Sequence, residues 1–249
     1  MKKRLYCLLA LLTVSVAAGC SVNQPDNTDN TMTEIASESL SRYDEVLSEA
    51  EASADGWSDS CVLGEDNWLI YYAKDGETLR IIQTKATDVV EEHALAFREY
   101  CDVNCAFISM VDADTGYILC CSSPGLSQMS KYLFKTTDGW NSYELTSEPD
   151  IHNYPTDMAF SDESTGIITT DYHGYDQYAY QTVDGGNSWN GLTVDDFSDE
   201  AISYVEGDHI EWENGQWTLT VSKILPDSRE ASVYWSETGT DWSLDTTNK

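Results

Sequence analysis

A polar turn that recurs along the chain constrains the fold more than any other feature of the sequence. The stretches "KTTDGWNSY" (135–143) and "QTVDGGNSW" (181–189) align without a gap, and "WSETGTDW" (235–242) is a third copy that is one residue shorter. Glycine supplies the positive φ that such turns need, and Asp or Ser side chains bond back to nearby backbone amides. The residues that recur are Thr136, Asp138, Gly139 and Tyr143, then Thr182, Asp184, Gly186 and Trp189, then Ser236, Gly239 and Trp242. We interpret all of them as structural, and the repetition predicts a repeat architecture.

A second shared element lies upstream of two of these turns, as "VDADTG" (111–116) and "SDESTG" (161–166). The spacing of both elements divides the chain into four units, near 57–105, 106–150, 151–198 and 199–249. Each unit is predicted to hold four short strands, which in the third unit are 157–161, 166–171, 177–182 and 188–194. A single four-stranded sheet cannot bury both of its faces, so the units should pack around a common axis. The sequence therefore predicts an all-β fold, a small β-propeller of about four blades.

The turn resembles the Asp-box of BNR repeats, as found in the propellers of sialidases. The longer pattern, "VDADTG" followed by "KTTDGW", is similar to the propeller of the photosystem II assembly factor family. This resemblance implies that the Asp-box holds a turn on the face away from the ligand site. It also implies more blades than the four that the spacing gives.

The N-terminal segment is predicted to direct the protein out of the cytosol. Residues 1–19 combine three basic residues with a short apolar run, as in a secretory signal peptide. The stretch "VAAGC" resembles a bacterial lipobox, which implies a lipid on Cys20 and an anchor in the cell envelope; an ordinary signal peptide is the alternative. A polar tether (20–32) and a helical spacer (33–56, with a helix over 33–53) precede the propeller domain at 57–249.

The charge of the chain restricts the classes of partner, and its cysteines indicate disulfides. The formal net charge is −31, and removal of the three basic residues of the signal peptide would bring it to −34. Such a field repels nucleic acid, so we expect a protein or glycan partner and membrane contact only through the lipid. One or two disulfides are predicted among five cysteines, with a zinc site as the weaker alternative, and no cofactor or metal is predicted. These cysteines are Cys61, Cys101, Cys105, Cys120 and Cys121.

The predicted ligand site lies on the loops opposite the Asp-box turns, because binding residues concentrate on loops of a rigid scaffold. The loop "DYHGYDQ" offers Tyr172, His173, Tyr175 and Asp176, whose aromatic faces and polar tips suit a sugar or a peptide. The four histidines show no metal-ligand spacing, and no nucleophile motif is present. The sequence therefore predicts a non-catalytic binding protein rather than an enzyme. A glycoside hydrolase of sialidase-like architecture and an extracytoplasmic assembly factor are the alternatives.

Overall fold

The computed structural model of this chain describes residues 41–53, 58–73, 78–97, 100, 103–125, 129–172, 177–199 and 201–246. Four antiparallel sheets of four strands follow one another, and within each sheet the strands pair in chain order. We call these sheets blades 1 to 4. They confirm the predicted all-β class and the small propeller of four blades.

The strand bounds follow the predicted units. Blade 1 holds β1 (Ser58–Leu63), β2 (Asp66–Tyr72), β3 (Thr78–Lys85) and β4 (Asp88–Ala96), and blade 2 holds β5 (Val103–Met110), β6 (Thr115–Ser122), β7 (Lys131–Thr137) and β8 (Glu144–Ser147). Blade 3 holds β9 (Tyr154–Phe160), β10 (Gly166–Asp171), β11 (Ala179–Thr182) and β12 (Asn190–Gly191), and blade 4 holds β13 (Tyr204–Glu213), β14 (Gln216–Ile224), β15 (Arg229–Ser236) and β16 (Ser243–Leu244). In blade 3 the second strand matches its prediction, whereas the fourth is shorter because only Asn190 and Gly191 pair with β11.

Burial along the strands shows how the blades stack. Nearly every residue of β6 and β10, in blades 2 and 3, is buried. In β14 of blade 4, by contrast, buried and partly exposed residues alternate. Middle blades have a neighbour on both faces, so their strands are buried throughout, while a sheet with one covered face shows period-two burial. Blade 4 therefore has one face packed against blade 3 and one face that is partly open.

The first strands of successive blades are also joined by hydrogen bonds from a backbone amide to a buried side chain. Three such bonds, one at each junction, are Ile108 N to Asp59 Oδ2 (3.0 Å), Phe160 N to Ser109 Oγ (2.9 Å) and Ile210 N to Asp157 Oδ2 (3.2 Å). Because these strands are the innermost ones, the bonds lie close to the propeller axis. They place a buried carboxylate, Asp157, between blades 3 and 4.

The Asp-box turns of blades 2 and 3 share one hydrogen-bond pattern. Asp184 Oδ1 accepts from Ser188 N (2.8 Å) and Oδ2 accepts from Ser188 Oγ (2.6 Å), and Asp138 and Ser142 repeat this pattern at 2.8 and 2.7 Å. In blade 4 Thr238 replaces the Asp, and its hydroxyl accepts from the amide of Thr240 instead. These contacts are local, so each turn forms from its own residues.

The aromatic residues that end these turns pack toward the preceding blade. Tyr143 contacts the core between blades 1 and 2, Trp189 the core between blades 2 and 3, and Trp242 the core between blades 3 and 4. Tyr117 and Phe160 add a stacked ring pair between blades 2 and 3, with centroids 3.7 Å apart.

Helix α1 (Arg42–Glu51) precedes the blades and packs on blade 1. Its buried residues, Val46 and Ala50, contact Leu69, Tyr71 and Ile82 on the face of blade 1 that is turned away from blade 2. Ser41 caps the helix by accepting from Asp44 N at 3.2 Å. The described helix is shorter than the predicted 33–53, and residues 33–40 lie outside the described part of the chain. In that part, no helix is both long and apolar enough to cross a membrane.

Cys61, Cys105 and Cys121 carry free thiols. Cys105 and Cys121 are cross-strand partners in blade 2, and burial raises the pKa of the Cys121 thiol. Neither thiol forms the disulfide that the sequence predicted, and the same holds for Cys61. Cys101, the fifth candidate, lies outside the described residues, as does the predicted lipid-bearing Cys20.

Candidate active site

Tyr172, one of the predicted ligand residues, lies near a shallow cavity between blades 3 and 4. Tyr172 follows β10 and stacks on Tyr204, the first residue of β13, with ring centroids 4.6 Å apart. Tyr204 also lines the cavity, whose volume is about 760 Å³. His173, Tyr175 and Asp176 lie outside the described residues, so their part in a ligand site stays a prediction.

The wall of this cavity combines aromatic rings with carboxylates. Tyr178 accepts from Val194 N at 2.7 Å, and Tyr234 donates to Asp195 Oδ2 at 2.8 Å. Burial, followed by the bond to Asp195, raises the pKa of Tyr234, so its hydroxyl stays protonated and able to donate. These hydroxyls hold the connection between blades 3 and 4 in place, which makes the cavity wall a fixed part of the fold.

A cluster of three titratable side chains lies on the innermost strands of blades 3 and 4. We call it the inner-strand cluster: Asp157 on β9, with His209 and Glu211 on β13. Asp157 Oδ1 accepts from Met158 N (2.9 Å), and Oδ2 accepts from Ile210 N (3.2 Å) and contacts His209 Nδ1. The other ring nitrogen, His209 Nε2, lies 3.9 Å from Glu211 Oε2, an ion-pair distance rather than a hydrogen bond. One imidazole ring therefore bridges two carboxylates.

The three side chains of the inner-strand cluster differ in solvent exposure. The side chain of Asp157 is 7% exposed, whereas those of His209 and Glu211 are 48% and 54% exposed. His209 lowers the pKa of Glu211, and this effect outweighs both desolvation and the negative charge of Asp157, which act to raise it. Glu211 is therefore ionised at neutral pH, and it faces solvent beside a ring that a buried carboxylate orients.

The local sequence "EGDHIE" (206–211) builds this arrangement through a glycine and a bulge. A side chain at Gly207 would meet the backbone oxygen of Tyr178 at 2.3 Å, so only glycine allows β13 to approach blade 3 this closely. Between Gly207 and His209 the pairing with β14 shifts by one residue, as in a β-bulge. Because a bulge redirects side chains, Asp208 and His209 are both available on the open side of the strand.

A second charged group extends the cluster toward the loop end of blade 4. Arg229 pairs with Glu206 at 3.1 Å and also with Asp208, and its Nε donates to Ser222 Oγ at 2.9 Å. These three contacts of Arg229 lie within blade 4, and they hold the side chain of Asp208 in place next to His209. In the described part of the chain, no group of three or more His, Cys, Asp or Glu side chains is arranged to hold a metal ion.

The arrangement supplies what acid–base catalysis requires. A proton carrier with one ring nitrogen exposed is held by a buried carboxylate, and an ionised carboxylate lies next to it. The sequence analysis missed this cluster, because Asp157 and His209 are 52 residues apart and no motif links them. The only local signal is the "GDHIE" stretch (207–211), in which a glycine and three titratable residues interrupt an otherwise regular strand.

No protein-family model matches the sequence, and no curated protein is similar enough to count as a relative. Among solved structures, the chain is similar to a xylan β-1,4-xylosidase from Bacillus halodurans C-125, with a TM-score of 0.49 and 11% identity over 77% of this chain. It is also similar to a thermostable family-43 glycoside hydrolase (TM-score 0.45, 10% identity, 77% of this chain) and to an α-L-arabinofuranosidase from Lactobacillus brevis (TM-score 0.43, 8% identity, 76% of this chain).

The chain spans 42% of the xylosidase and 72% of each of the other two proteins. At this level of identity the likeness concerns the fold alone. All three proteins are glycosidases by name. On this finding the prediction of a non-catalytic binding protein, and with it the prediction that the chain is not an enzyme, is wrong.

Proposed function

We propose that this protein hydrolyses glycosidic bonds at the inner-strand cluster. The observation that carries the proposal is the position of His209, whose ring lies between the buried carboxylate of Asp157 and the exposed carboxylate of Glu211. Glycoside hydrolysis needs a group that protonates the leaving oxygen and a carboxylate that stabilises or attacks the anomeric carbon. His209 and Glu211 can fill these two roles, and Asp157 positions the ring.

The short separation of His209 and Glu211 favours a two-step reaction. Inverting enzymes keep their two groups ~6.5–9.5 Å apart to admit a water, whereas retaining enzymes hold them ~5–5.5 Å apart. The 3.9 Å between Nε2 and Oε2 is shorter than both spacings, lies nearer to the retaining one and leaves no room for a water between the groups. We therefore assign Glu211 as the nucleophile and predict retention of the anomeric configuration.

In the first step, Glu211 Oε2 attacks the anomeric carbon and the bond to the leaving oxygen breaks. That oxygen takes the proton from His209 Nε2. In the second step, a water gives a proton back to Nε2 while its oxygen bonds the anomeric carbon and displaces Glu211. Throughout, the carboxylate of Asp157 accepts a hydrogen bond from His209 Nδ1–H and keeps Nε2 pointing toward the substrate.

The test compares two glutamates of the same strand. Glu211→Gln removes the nucleophile, and we expect the rate of hydrolysis of a chromogenic aryl glycoside to fall at least ~10³-fold. Glu213→Gln is the matched control, because Glu213 is exposed on β13 and lies outside the cluster. The measurement is kcat of the full chain on a panel of 4-nitrophenyl glycosides. NMR then identifies which anomer of the sugar is released first.

Added azide should restore turnover of Glu211→Gly, because a small anion can replace a missing nucleophile. If the Glu211→Gln and Glu213→Gln variants hydrolyse the glycosides with the same kcat, the assignment of Glu211 as the nucleophile is refuted. The absence of turnover on every glycoside of the panel would refute the proposed activity.

We also propose the finer features of the sequence analysis that no described residue tests. The basic and apolar N-terminus and the "VAAGC" stretch support an envelope protein anchored by a lipid on Cys20. The shared hydrogen bonds of the turns at Asp138 and Asp184 support an Asp-box of the BNR type. The lipid anchor would put the cluster outside the cytosol, where polysaccharides are accessible.

A further inference from the structure

The open face of blade 4 carries an exposed tryptophan among hydroxyl groups. On β14 the residues Trp217, Leu219 and Val221 are buried in the core shared with blade 3. Thr218 and Thr220 alternate with them and therefore point to the other face, where they are partly exposed. An indole has an apolar face and a polar N–H, the combination for which tryptophan is enriched at binding interfaces.

Strand pairing places this tryptophan, Trp235, in register with the inner-strand cluster. Glu211 is the partner of Thr218 across β13 and β14, and Thr218 is the partner of Trp235 across β14 and β15. Partners on adjacent antiparallel strands point to the same face, so these three side chains form one row. Trp235 is 38% exposed, and it lies two strands, or roughly 10 Å, from Glu211.

We propose that this row is a subsite for a neutral saccharide chain that runs from the inner-strand cluster across blade 4. The inference rests on the proposed glycoside hydrolysis, and it adds the class of substrate. The indole of Trp235 would stack on the apolar face of a sugar ring about one disaccharide away from the bond that is cleaved. The hydroxyls of Thr218 and Thr220 would bond to the sugar hydroxyls between the two points.

Charge decides between neutral and anionic saccharides. The cluster end of the row has the carboxylates of Glu206, Asp208 and Glu211, and the cation of Arg229 is already paired with two of them. The whole chain carries a net charge of −31. This field repels polyuronates and sulfated glycans, whereas it does not oppose an uncharged chain.

The experiment measures binding separately from hydrolysis. Full-chain protein with Glu211→Gln is titrated with hexasaccharides of β-1,4-linked xylose, glucose and N-acetylglucosamine, and with hexagalacturonate as the anionic probe. Adding Trp235→Ala to this protein should weaken binding of the preferred neutral hexasaccharide about tenfold, while Trp235→Phe should keep most of the affinity. Val183→Ala, which removes another exposed apolar side chain, is the surface control.

In protein with Glu211 intact, Val183→Ala should leave kcat on a 4-nitrophenyl monosaccharide unchanged, because Val183 lies outside both the inner-strand cluster and the row. If Trp235→Ala weakens hexasaccharide binding although no glycoside is hydrolysed, the subsite stands and the proposed function fails. Equal affinity in Trp235→Ala and its parent overturns the subsite, as does preferential binding of hexagalacturonate. A dimer that Trp235→Ala dissociates in analytical ultracentrifugation also overturns it, since a second copy would then cover the face.

Discussion

At the scale of single residues, the Asp-box turns show how backbone conformation selects a side chain. Gly186 has a φ of +88°, and a Cβ at this position would lie 2.2 Å from Leu133 Cδ2 in the neighbouring blade. Blade 2 has Trp140 at the equivalent position with a φ of +72°, and its ring is buried and donates to Met110 Sδ at 3.2 Å. A residue other than glycine is thus tolerated in this turn only where its side chain has a pocket.

Replacement of Gly186 by Ala should therefore destabilise the protein through both strain and a clash. Strain from a non-glycine residue at positive φ costs about 1–3 kcal/mol, and the contact with Leu133 adds to that cost. Gly64→Ala is the control, because Gly64 has a φ of +63° but no atom within 4 Å of the added Cβ. Urea denaturation measures the free energy of unfolding of both variants. Equal losses would show that packing against Leu133 contributes nothing.

The same residues show what sequence reasoning can and cannot reach. Thr182, Asp184 and Ser188 bond to one another within seven residues, so their roles are visible in a short pattern. Asp157 and His209 meet only because two blades pack and a bulge turns the ring, and neither event leaves a motif. Local chemistry was predictable, whereas the candidate site depends on tertiary contacts.

At the scale of elements, each Asp-box turn is a small hydrogen-bonded unit around one carboxylate. The bonds from the hydroxyl and amide of Ser188 lower the pKa of Asp184, as those from Ser142 lower the pKa of Asp138. A carboxylate with a folded-state pKa below its unfolded value of about 3.9 stabilises the folded state above that pH. The stabilisation is lost as the pH falls through the lower, folded-state value.

The melting temperature of the protein should therefore decline below pH ~4, and Asp184→Asn should flatten part of this decline. At neutral pH the variant should melt below the unmodified protein, because the amide cannot accept both bonds as a carboxylate does. Asp227→Asn, an exposed substitution in the loop between β14 and β15, serves as the control. Melting curves between pH 2 and 7 provide the measurement. Parallel declines for Asp184→Asn and the unmodified protein would contradict this account.

The elements themselves differ in how far they could be predicted. The four blades followed from the spacing of the turns, because each turn closes a hairpin at the same place in its unit. The place of α1 did not follow, because its apolar stripe is narrow and Val46 contacts a blade face that only the assembled fold presents. The open face of blade 4 also escaped prediction, since Thr218 and Trp235 reveal their exposure only through strand register.

At the scale of the whole molecule, the blades are linked in series along their innermost strands. The bonds that Asp59, Ser109 and Asp157 accept each join one blade to the next, although the side chains differ. Apolar cores between consecutive blades run alongside these bonds. Together they hold β9 against β13, and the candidate site depends on that junction.

Removal of one of these bonds, at the junction between blades 2 and 3, tests whether the blades unfold as one unit. Ser109→Ala leaves the amide of Phe160 buried without this acceptor, and an unsatisfied buried group costs about 1–3 kcal/mol. Ser228→Ala, on an exposed loop of blade 4, should change the free energy of unfolding by less than about 0.5 kcal/mol. If the four blades are cooperative, urea denaturation of Ser109→Ala will show one transition with a lower midpoint and an unchanged slope. Two transitions would mean that blades 1 and 2 separate from blades 3 and 4, in which case the inner-strand cluster could stay intact while the first half of the propeller unfolds.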